Sequence, residues 1–372
     1  MAEARGHIGV IGIGRLGLCF ALNLEAVGYR VTGLDRDAAY VAHLNQKTWR
    51  SQEPGVEARL RDSNHFQATT DLEALLAEDI ELLFVVVATP SLPDGRYDHR
   101  QVDAVAEALL GRGPSPRPRH FVVMCTTMPG YCDALAERLA PAGYTVSYNP
   151  EFIAQGTILH DQQYPDQILI GEADAAAGDA IEAVYRDLVR SEPTYCRMSR
   201  LSAEITKIAT NCFLTTKISF ANSIGDLATR AGAEPEKILA AIGSDSRIGS
   251  RYLRYGHGYG GPCFPRDNRA LAVYGDQLSY ELLLSKATDR VNDRHTEFLV
   301  AQTLASTPAE AVIDLEQVTY KPGTTILEES QELAYALALA KAGRRVRITE
   351  HPVVIADLRH RFGDLFEYRD RG

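Results

Sequence analysis

The chain has 372 residues, 45% apolar and 24% charged, the make-up of an ordinary globular protein with room for two or three cored domains. A formal net charge of −10 leaves no basic excess to neutralise a phosphate backbone, which argues against general nucleic-acid binding but leaves small anionic ligands open. Six cysteines without a CxxC pair or zinc-like spacing point to a reducing compartment and no metal site; with no signal-peptide core and no membrane-length apolar run, a cytoplasmic protein is expected.

The first 150 residues alternate short apolar runs with amphipathic ones, the rhythm of βα units on a parallel sheet. The spacing predicts strands at 7–13, 30–34, 82–87, 120–124 and 145–147, with helices at 16–26 and 102–110. Three prolines in 114–118 make that stretch a loop. A further strand at 167–170 and helix at 175–189 carry this domain to residue 197. From 201 to 230 a long helical run follows, which needs a partner along much of its surface and suggests a second subunit. Another helix is predicted over 280–304, after which the βα rhythm returns at 311–315, 331–342, 346–349 and 353–361. The expected architecture is α/β: a Rossmann-type dinucleotide-binding domain (1–197), a central long-helix region with a cysteine loop (198–307) and a small C-terminal α/β domain (308–372).

Gly12-Ile13-Gly14-Arg15-Leu16-Gly17 follows the first predicted strand and opens the first helix, the context a dinucleotide fingerprint requires. Its glycines permit a tight turn and let a pyrophosphate approach backbone N–H groups at the helix N-terminus. Asp35 ends the second strand 18 residues beyond Gly17, where a carboxylate receives ribose hydroxyls and repels a 2′-phosphate. NAD is therefore expected over NADP, and Arg36 directly after the acid does not reverse that choice. The loops Ala88-Thr89-Pro90 and Thr126-Thr127-Met128-Pro129 follow later strands, so they would face the same cofactor.

Three further features stay ambiguous taken singly. Glu151, beside Phe152 in Asn149-Pro150-Glu151-Phe152-Ile153-Ala154-Gln155-Gly156, reads either as a base of raised pKa or as a solvated loop acid. Lys207 and Asn211 lie four apart on the long helix and read as an oxyanion clamp or as its wet face. In Gly258-Tyr259-Gly260-Gly261-Pro262-Cys263-Phe264-Pro265-Arg266-Asp267, the cysteine reads as an activated nucleophile or as a small buried hydrophobe. Asp267 could begin a helix there.

In their order these motifs resemble the UDP-glucose/GDP-mannose dehydrogenase family over about residues 5 to 300. The stretches 12–17, 126–129, 149–156, 207–211 and 258–267 carry the likeness, joined by 213–219 and 245–249. The resemblance implies NAD-dependent, four-electron oxidation of a nucleotide sugar's primary alcohol to a carboxylate, of the UDP-glucose to UDP-glucuronate type, by a homodimer. It implies that Cys263 is the nucleophile, Asp267 and Lys207 assist loss of the alcohol proton, and Lys207 and Asn211 hold the oxyanion. Thr127 would position a water that Glu151 activates. Cofactor contacts would come from Gly12, Ile13, Gly14, Arg15, Leu16, Gly17, Asp35, Arg36, Thr89, Thr127 and Arg266. Substrate contacts would come from Glu151, Phe152, Ile153, Gln155, Lys207, Asn211, Arg247, Tyr252, Leu253, Tyr259, Gly260 and Lys321, with Arg247 reaching a neighbouring subunit.

Two departures qualify the likeness. Gln155 stands where the family usually has a second glutamate, and an amide cannot take a proton from water. Near the C-terminus Tyr320-Lys321 resembles the family's Phe-Lys pair, yet Ile326-Leu327-Glu328 replaces its Asp-x-Arg, and only 51 residues follow Lys321. Two alternatives therefore stand beside the main reading: the same chemistry on another sugar or a carrier-bound alcohol, and an NAD-binding partner subunit without activity.

Overall fold

A computed structural model describes residues 5–371. The chain forms two compact units, Met1–Lys207 and Ile208–Gly372. The first unit follows the βα rhythm: β1 (His7–Ile11), α1 (Arg15–Ala26), β2 (Arg30–Leu34), α2 (Ala38–Asn45), α3 (Val56–Asp62) and β3 (Phe66–Thr69). β4 (Ile80–Val85), α4 (Arg100–Leu110), β5 (Arg119–Val123), α5 (Tyr131–Leu139) and β6 (Tyr144–Tyr148) continue it. α6 (Ile158–Asp161), β7 (Gln167–Glu172), α7 (Ala175–Leu188) and β8 (Thr194–Ser199) complete it. The eight strands form one sheet in the order β3-β2-β1-β4-β5-β6-β7-β8, parallel except where β7 runs against β6. The order reverses between β1 and β4, the switch point at which doubly wound sheets bind ligands.

Side chains that alternate along each strand divide the core in two, as a period of two requires. Ile8 and Val10, Phe84, Val122, Ile168 and Ile170 join one buried cluster with α1 and α7. Ile11, Leu83 and Val85, Phe121 and Val123, and Leu169 join the other with α4 and α5. At about 1.5–3 kcal/mol per fully buried large apolar side chain, these two layers are the main favourable term in folding.

α8 (Arg200–Ala231) begins in the first unit and runs on as the opening element of the second. There it is followed by α9 (Pro235–Gly243), α10 (Phe264–Gln277) and α11 (Leu283–Ser306). β9 (Val312–Leu315), α12 (Gln331–Lys341), β10 (Arg345–Glu350), α13 (Pro352–Phe362) and β11 (Glu367–Asp370) form a small α/β layer with strand order β11-β10-β9. Its core joins Val346 and Ile348 of β10 to Leu339, Leu358 and Phe366. On α8, Phe213, Phe220 and Leu227 recur every seventh residue and are 67%, 48% and 64% exposed, an apolar stripe facing water within this unit. No helix of the described residues is long and apolar enough to cross a membrane.

Several boundaries differ from the sequence-based expectation. The first strand ends at Ile11 instead of residue 13 because Gly12 turns the chain at φ +87°. α10 starts at Phe264, three residues before Asp267, since Pro265 sits in its first turn with φ already helical. The helix expected from residue 280 starts at Leu283, after a turn in which Ser279 adopts φ +57°.

Candidate active site

In the first unit the glycine fingerprint forms the turn from β1 into α1. A Cβ on Gly17 would overlap the Gly12 carbonyl oxygen, so helix and strand can approach this closely only without one. Gly14 caps α1 with no side-chain hydrogen bond, and nothing lies within 4 Å of where its Cβ would be. Asp35 follows β2 and accepts a hydrogen bond from the Asp37 N–H at 3.1 Å. Bare helix donors, room for a pyrophosphate and an acid at the ribose position together fit NAD. Tyr40 of α2, which the sequence did not single out, donates its hydroxyl to the Ile13 carbonyl at 2.7 Å and so fixes the turn. Arg36 is exposed.

The loops after β4 and β5 are joined, since Thr89 donates to the Thr126 carbonyl at 2.8 Å. Thr127 is fully buried and donates to the Glu204 carboxylate at 2.8 Å. Glu204, at the start of α8, also receives the N–H groups of Gly130 at 2.7 Å and Cys132 at 2.9 Å, closing the N-terminus of α5. Glu204 escaped sequence reading, although a glutamate one turn from Ile208 on the helix's buried side is a recognisable signal. The ring of His99 stacks on Tyr131 with centroids 3.9 Å apart and accepts the Met128 N–H at 3.1 Å; burial pushes its pKa down to about 4, so it stays neutral.

After β6, Asn149 is buried and bonded to the Leu169 carbonyl and the Tyr185 hydroxyl. Lys207 donates to the Glu151 backbone carbonyl at 2.7 Å and lies 4.4 Å from the centroid of the Phe152 ring. Burial pushes the Glu151 carboxyl up to about 7, against the opposing pull of Lys207 and of hydrogen bonds from Tyr185 and Gln162. Gln155 accepts from Arg15 of the glycine turn, and Arg15 also donates to Gln52 at 3.0 Å. Glu53 holds the Gly156 N–H at 2.9 Å. Ile153 is half-buried and packs on the α1 side of the core.

In the second unit Cys263 is the N-cap of α10 and is exposed; four of the other five cysteines are buried. A thiol at a helix N-terminus has its thiolate favoured by the helix dipole. Asp267, one turn on, is 1% exposed and accepts from the Asn211 amide at 2.7 Å; Arg266 lies 3.5 Å from its other oxygen. The glycine pair before Cys263 is required by close approach. A Cβ on Gly260 would strike the Glu329 carbonyl oxygen, and one on Gly261 the Tyr320 ring. The Gly261 N–H donates to the Glu328 carbonyl at 3.2 Å, and Arg269 pairs with Glu329 at 2.7 Å.

The other expected substrate residues are more dispersed. Arg247 is exposed and paired with Asp245 at 2.6 Å. Tyr252 is 48% exposed, with φ +61°. Leu253 and Tyr259 are buried, the first in a core with Ala221 and Leu239, the second with its hydroxyl on Asp289, so their side chains serve the core. Lys321 is half-buried. No group of three or more His, Cys, Asp or Glu residues among those described is placed to hold a metal ion.

Residues 6–189 match the NAD-binding domain of the UDP-glucose/GDP-mannose dehydrogenase family, and residues 201–294 match its central domain. The chain is 35% identical to a UDP-glucose 6-dehydrogenase of Pseudomonas aeruginosa, over 95% of this chain and 80% of that protein. It is 30% identical to a GDP-mannose 6-dehydrogenase of the same species, over 94% and 82%. A solved UDP-glucose dehydrogenase from the archaeon Pyrobaculum islandicum superimposes with a TM-score of 0.87 at 33% identity, covering 99% of this chain and 87% of that one.

Proposed function

Because the chain belongs to the UDP-glucose/GDP-mannose dehydrogenase family of NAD-dependent nucleotide-sugar dehydrogenases, we propose that it oxidises a nucleotide sugar's primary alcohol to a carboxylate, with UDP-glucose as the substrate. The observation that carries the covalent part is Cys263: an exposed thiol at the N-terminus of α10, one helical turn from the buried Asp267–Asn211 pair.

When bound, NAD supplies the hydride acceptor for each two-electron step. Asp267, assisted by Lys207, takes the hydroxyl proton of the substrate as the first hydride leaves the same carbon, which gives the aldehyde. The Cys263 thiolate then adds to the aldehyde carbon, forming a C–S bond and an alkoxide that takes up a proton to give a thiohemiacetal. Lys207 and Asn211 hold the oxygen wherever negative charge develops. Loss of the alcohol proton and a second hydride leaves a thioester. Water attacks its carbonyl carbon while Glu151 takes the water proton; the C–S bond breaks and the thiolate returns, and Thr127, buried with its hydroxyl on Glu204, acts by fixing its loop instead of touching the water. A carboxyl titrating near 7 suits that base. The buried side chains of Leu253 and Tyr259 serve the core of the second unit, so the substrate role falls to the other residues.

Assembly is part of the proposal. The stripe Phe213, Phe220 and Leu227 supports a homodimer built on α8, with Arg247 acting at the neighbouring copy's substrate. We divide the chain functionally at 197 and 307, as the βα rhythm divides it.

Replacing Cys263 by serine tests the core of the reading. Cys263→Ser should retain NAD binding and lose carboxylate formation, while the wild type forms two NADH per UDP-glucose consumed. Full carboxylate output from the serine variant removes the covalent route. A second reading, the same chemistry on another sugar or carrier-bound alcohol, rests on Ile326-Leu327-Glu328 standing where the family has Asp-x-Arg. A panel of nucleotide and free sugars with NAD separates the two.

A further inference from the structure

Cys263 is reached through Arg254-Tyr255-Gly256-His257-Gly258-Tyr259-Gly260-Gly261-Pro262, a segment with four glycines and no regular secondary structure. Such a chain is entropically free unless its backbone groups are tied elsewhere. Two helices of the second unit tie it. From α8, Asn222 accepts the Gly256 N–H at 3.2 Å and donates to the His257 carbonyl at 3.3 Å. From α11, Asn292 accepts the Tyr259 N–H at 2.9 Å and donates to the Tyr259 carbonyl at 3.0 Å. One turn from each asparagine lies a partner on the same helix face, Asp226 and His295.

His295 is 2% exposed. Its Nδ1 faces both oxygens of Asp226 at 3.0 Å, and its Nε2 faces the Gly256 carbonyl oxygen. A neutral imidazole has one N–H and one lone pair, so against two acceptors one contact would set lone pair against lone pair. The ring thus spans two acceptors, the Asp226 carboxylate and the Gly256 carbonyl, and holds one against the other. The remaining groups around it agree. Tyr255 donates its hydroxyl to Asp226 at 2.9 Å and presents its ring at 64° to the imidazole. The neighbouring His257 is pushed downward in pKa by burial and by His295, and stays neutral.

We infer that Asp226 and His295 are a positioning pair that clamps the Gly256 carbonyl and thereby sets the place of Cys263. The inference rests on the reading of Cys263 as nucleophile for its consequence, but the clamp itself is measurable without it. Two isosteres separate the halves of the ring. In His295→Gln the amide nitrogen stands where Nε2 stood and keeps the Gly256 bond. In His295→Asn the amide stands at Nδ1 and keeps only Asp226.

Hydrogen exchange of the 255–263 peptide in the full chain reads the clamp, and turnover reads its consequence. In His295→Asn the peptide should exchange about tenfold faster, and kcat should fall about tenfold with the KM for NAD unchanged, as loss of one charge-assisted bond implies. His295→Gln keeps the Gly256 bond and gives up the Asp226 contact, so it should stay within about threefold of wild type in both. Equal behaviour of the two variants, or unchanged exchange in His295→Asn, overturns the clamp. If His295→Asn does not fold, Asp226→Asn takes its place: losing the counter-charge should speed the same peptide about threefold, and no change overturns the inference. Should exchange respond as expected while Cys263→Ser still forms carboxylate, the clamp stands and the reading of Cys263 fails.

Discussion

Raising the pH through neutrality should switch on thioester hydrolysis, because the carboxyl we propose as its base titrates there. Burial lifts Glu151 from its ordinary 4.5 to about 7; Lys207 and the hydrogen bonds from Tyr185 and Gln162 oppose the shift, and Asp161 adds to it. Roughly a tenth of Glu151 is then ionised at pH 6 and about nine-tenths at pH 8, so the single-turnover hydrolysis rate should rise about tenfold between them. Rapid quench followed by intact-protein mass measurement reads the decay of the acyl adduct on Cys263. Glu151→Gln should flatten that profile and let the adduct accumulate after a burst of two NADH. The same shift has a consequence for stability, with a definite sign. Between about pH 4.5 and 7 the unfolded chain gives up a proton that the folded chain retains, so stability falls as pH rises through that window and stays lower above it. Glu151→Gln should thus be stabilising at pH 8, by on the order of 3 kcal/mol at most, and neutral at pH 4.5. An unchanged pH–rate profile in Glu151→Gln, with no adduct, would refute the assignment; a lower melting temperature at pH 8 would refute the burial argument.

Asp35→Ala should shrink the preference for NAD over NADP by about tenfold, read from binding titrations of both cofactors; an unchanged ratio removes Asp35 from the ribose. Phe220→Asp on the exposed stripe of α8 should give a monomer by light scattering, whereas a dimer that survives it is built elsewhere. Arg247→Ala should raise the KM for substrate about tenfold and leave melting nearly unchanged, since its ion pair with Asp245 is exposed and worth little to folding. Calorimetry should detect binding of UDP and UDP-glucose, and absence of heat from both in protein that still binds NAD would favour the second reading of the substrate.

Periodicity made the sheet legible because its strands are buried on both faces, and the fingerprint made the cofactor legible because its glycines answer a steric demand. What escaped was short or half-polar. β3 is four residues long, and β8 (Thr-Tyr-Cys-Arg-Met-Ser) has no fully buried residue to mark its phase. The reversal of β7 against β6 leaves no local trace in sequence. The site was legible as residue types but not as partnerships. Lys207 binding a backbone carbonyl at Glu151, and Asn211 binding Asp267 across 56 positions, are tertiary facts. Glu204, His99, Tyr40 and His295 were overlooked because each acts on backbone groups of a loop, a role that carries no motif.

The two departures from the family pattern look less damaging once their surroundings are known. Gln155 holds Arg15 of the glycine turn, so it ties the loop after β6 to the cofactor turn within the first unit. A glutamate there would add another negative charge four residues from Glu151, in the direction Asp161 already pushes it. With an amide instead, Glu151 is left as the acid of this loop proposed to take the proton, at a pKa close to neutrality. In the second unit, Glu329 is neutralised by Arg269, and the Glu328 and Glu329 carbonyls lie against Gly261 and Gly260. The segment therefore braces the cysteine loop through its backbone, a task indifferent to the side chain at 328. The backbone brace of the cysteine loop is therefore kept whatever side chain stands at 328, while the charge carried there is reversed relative to the family's Asp-x-Arg.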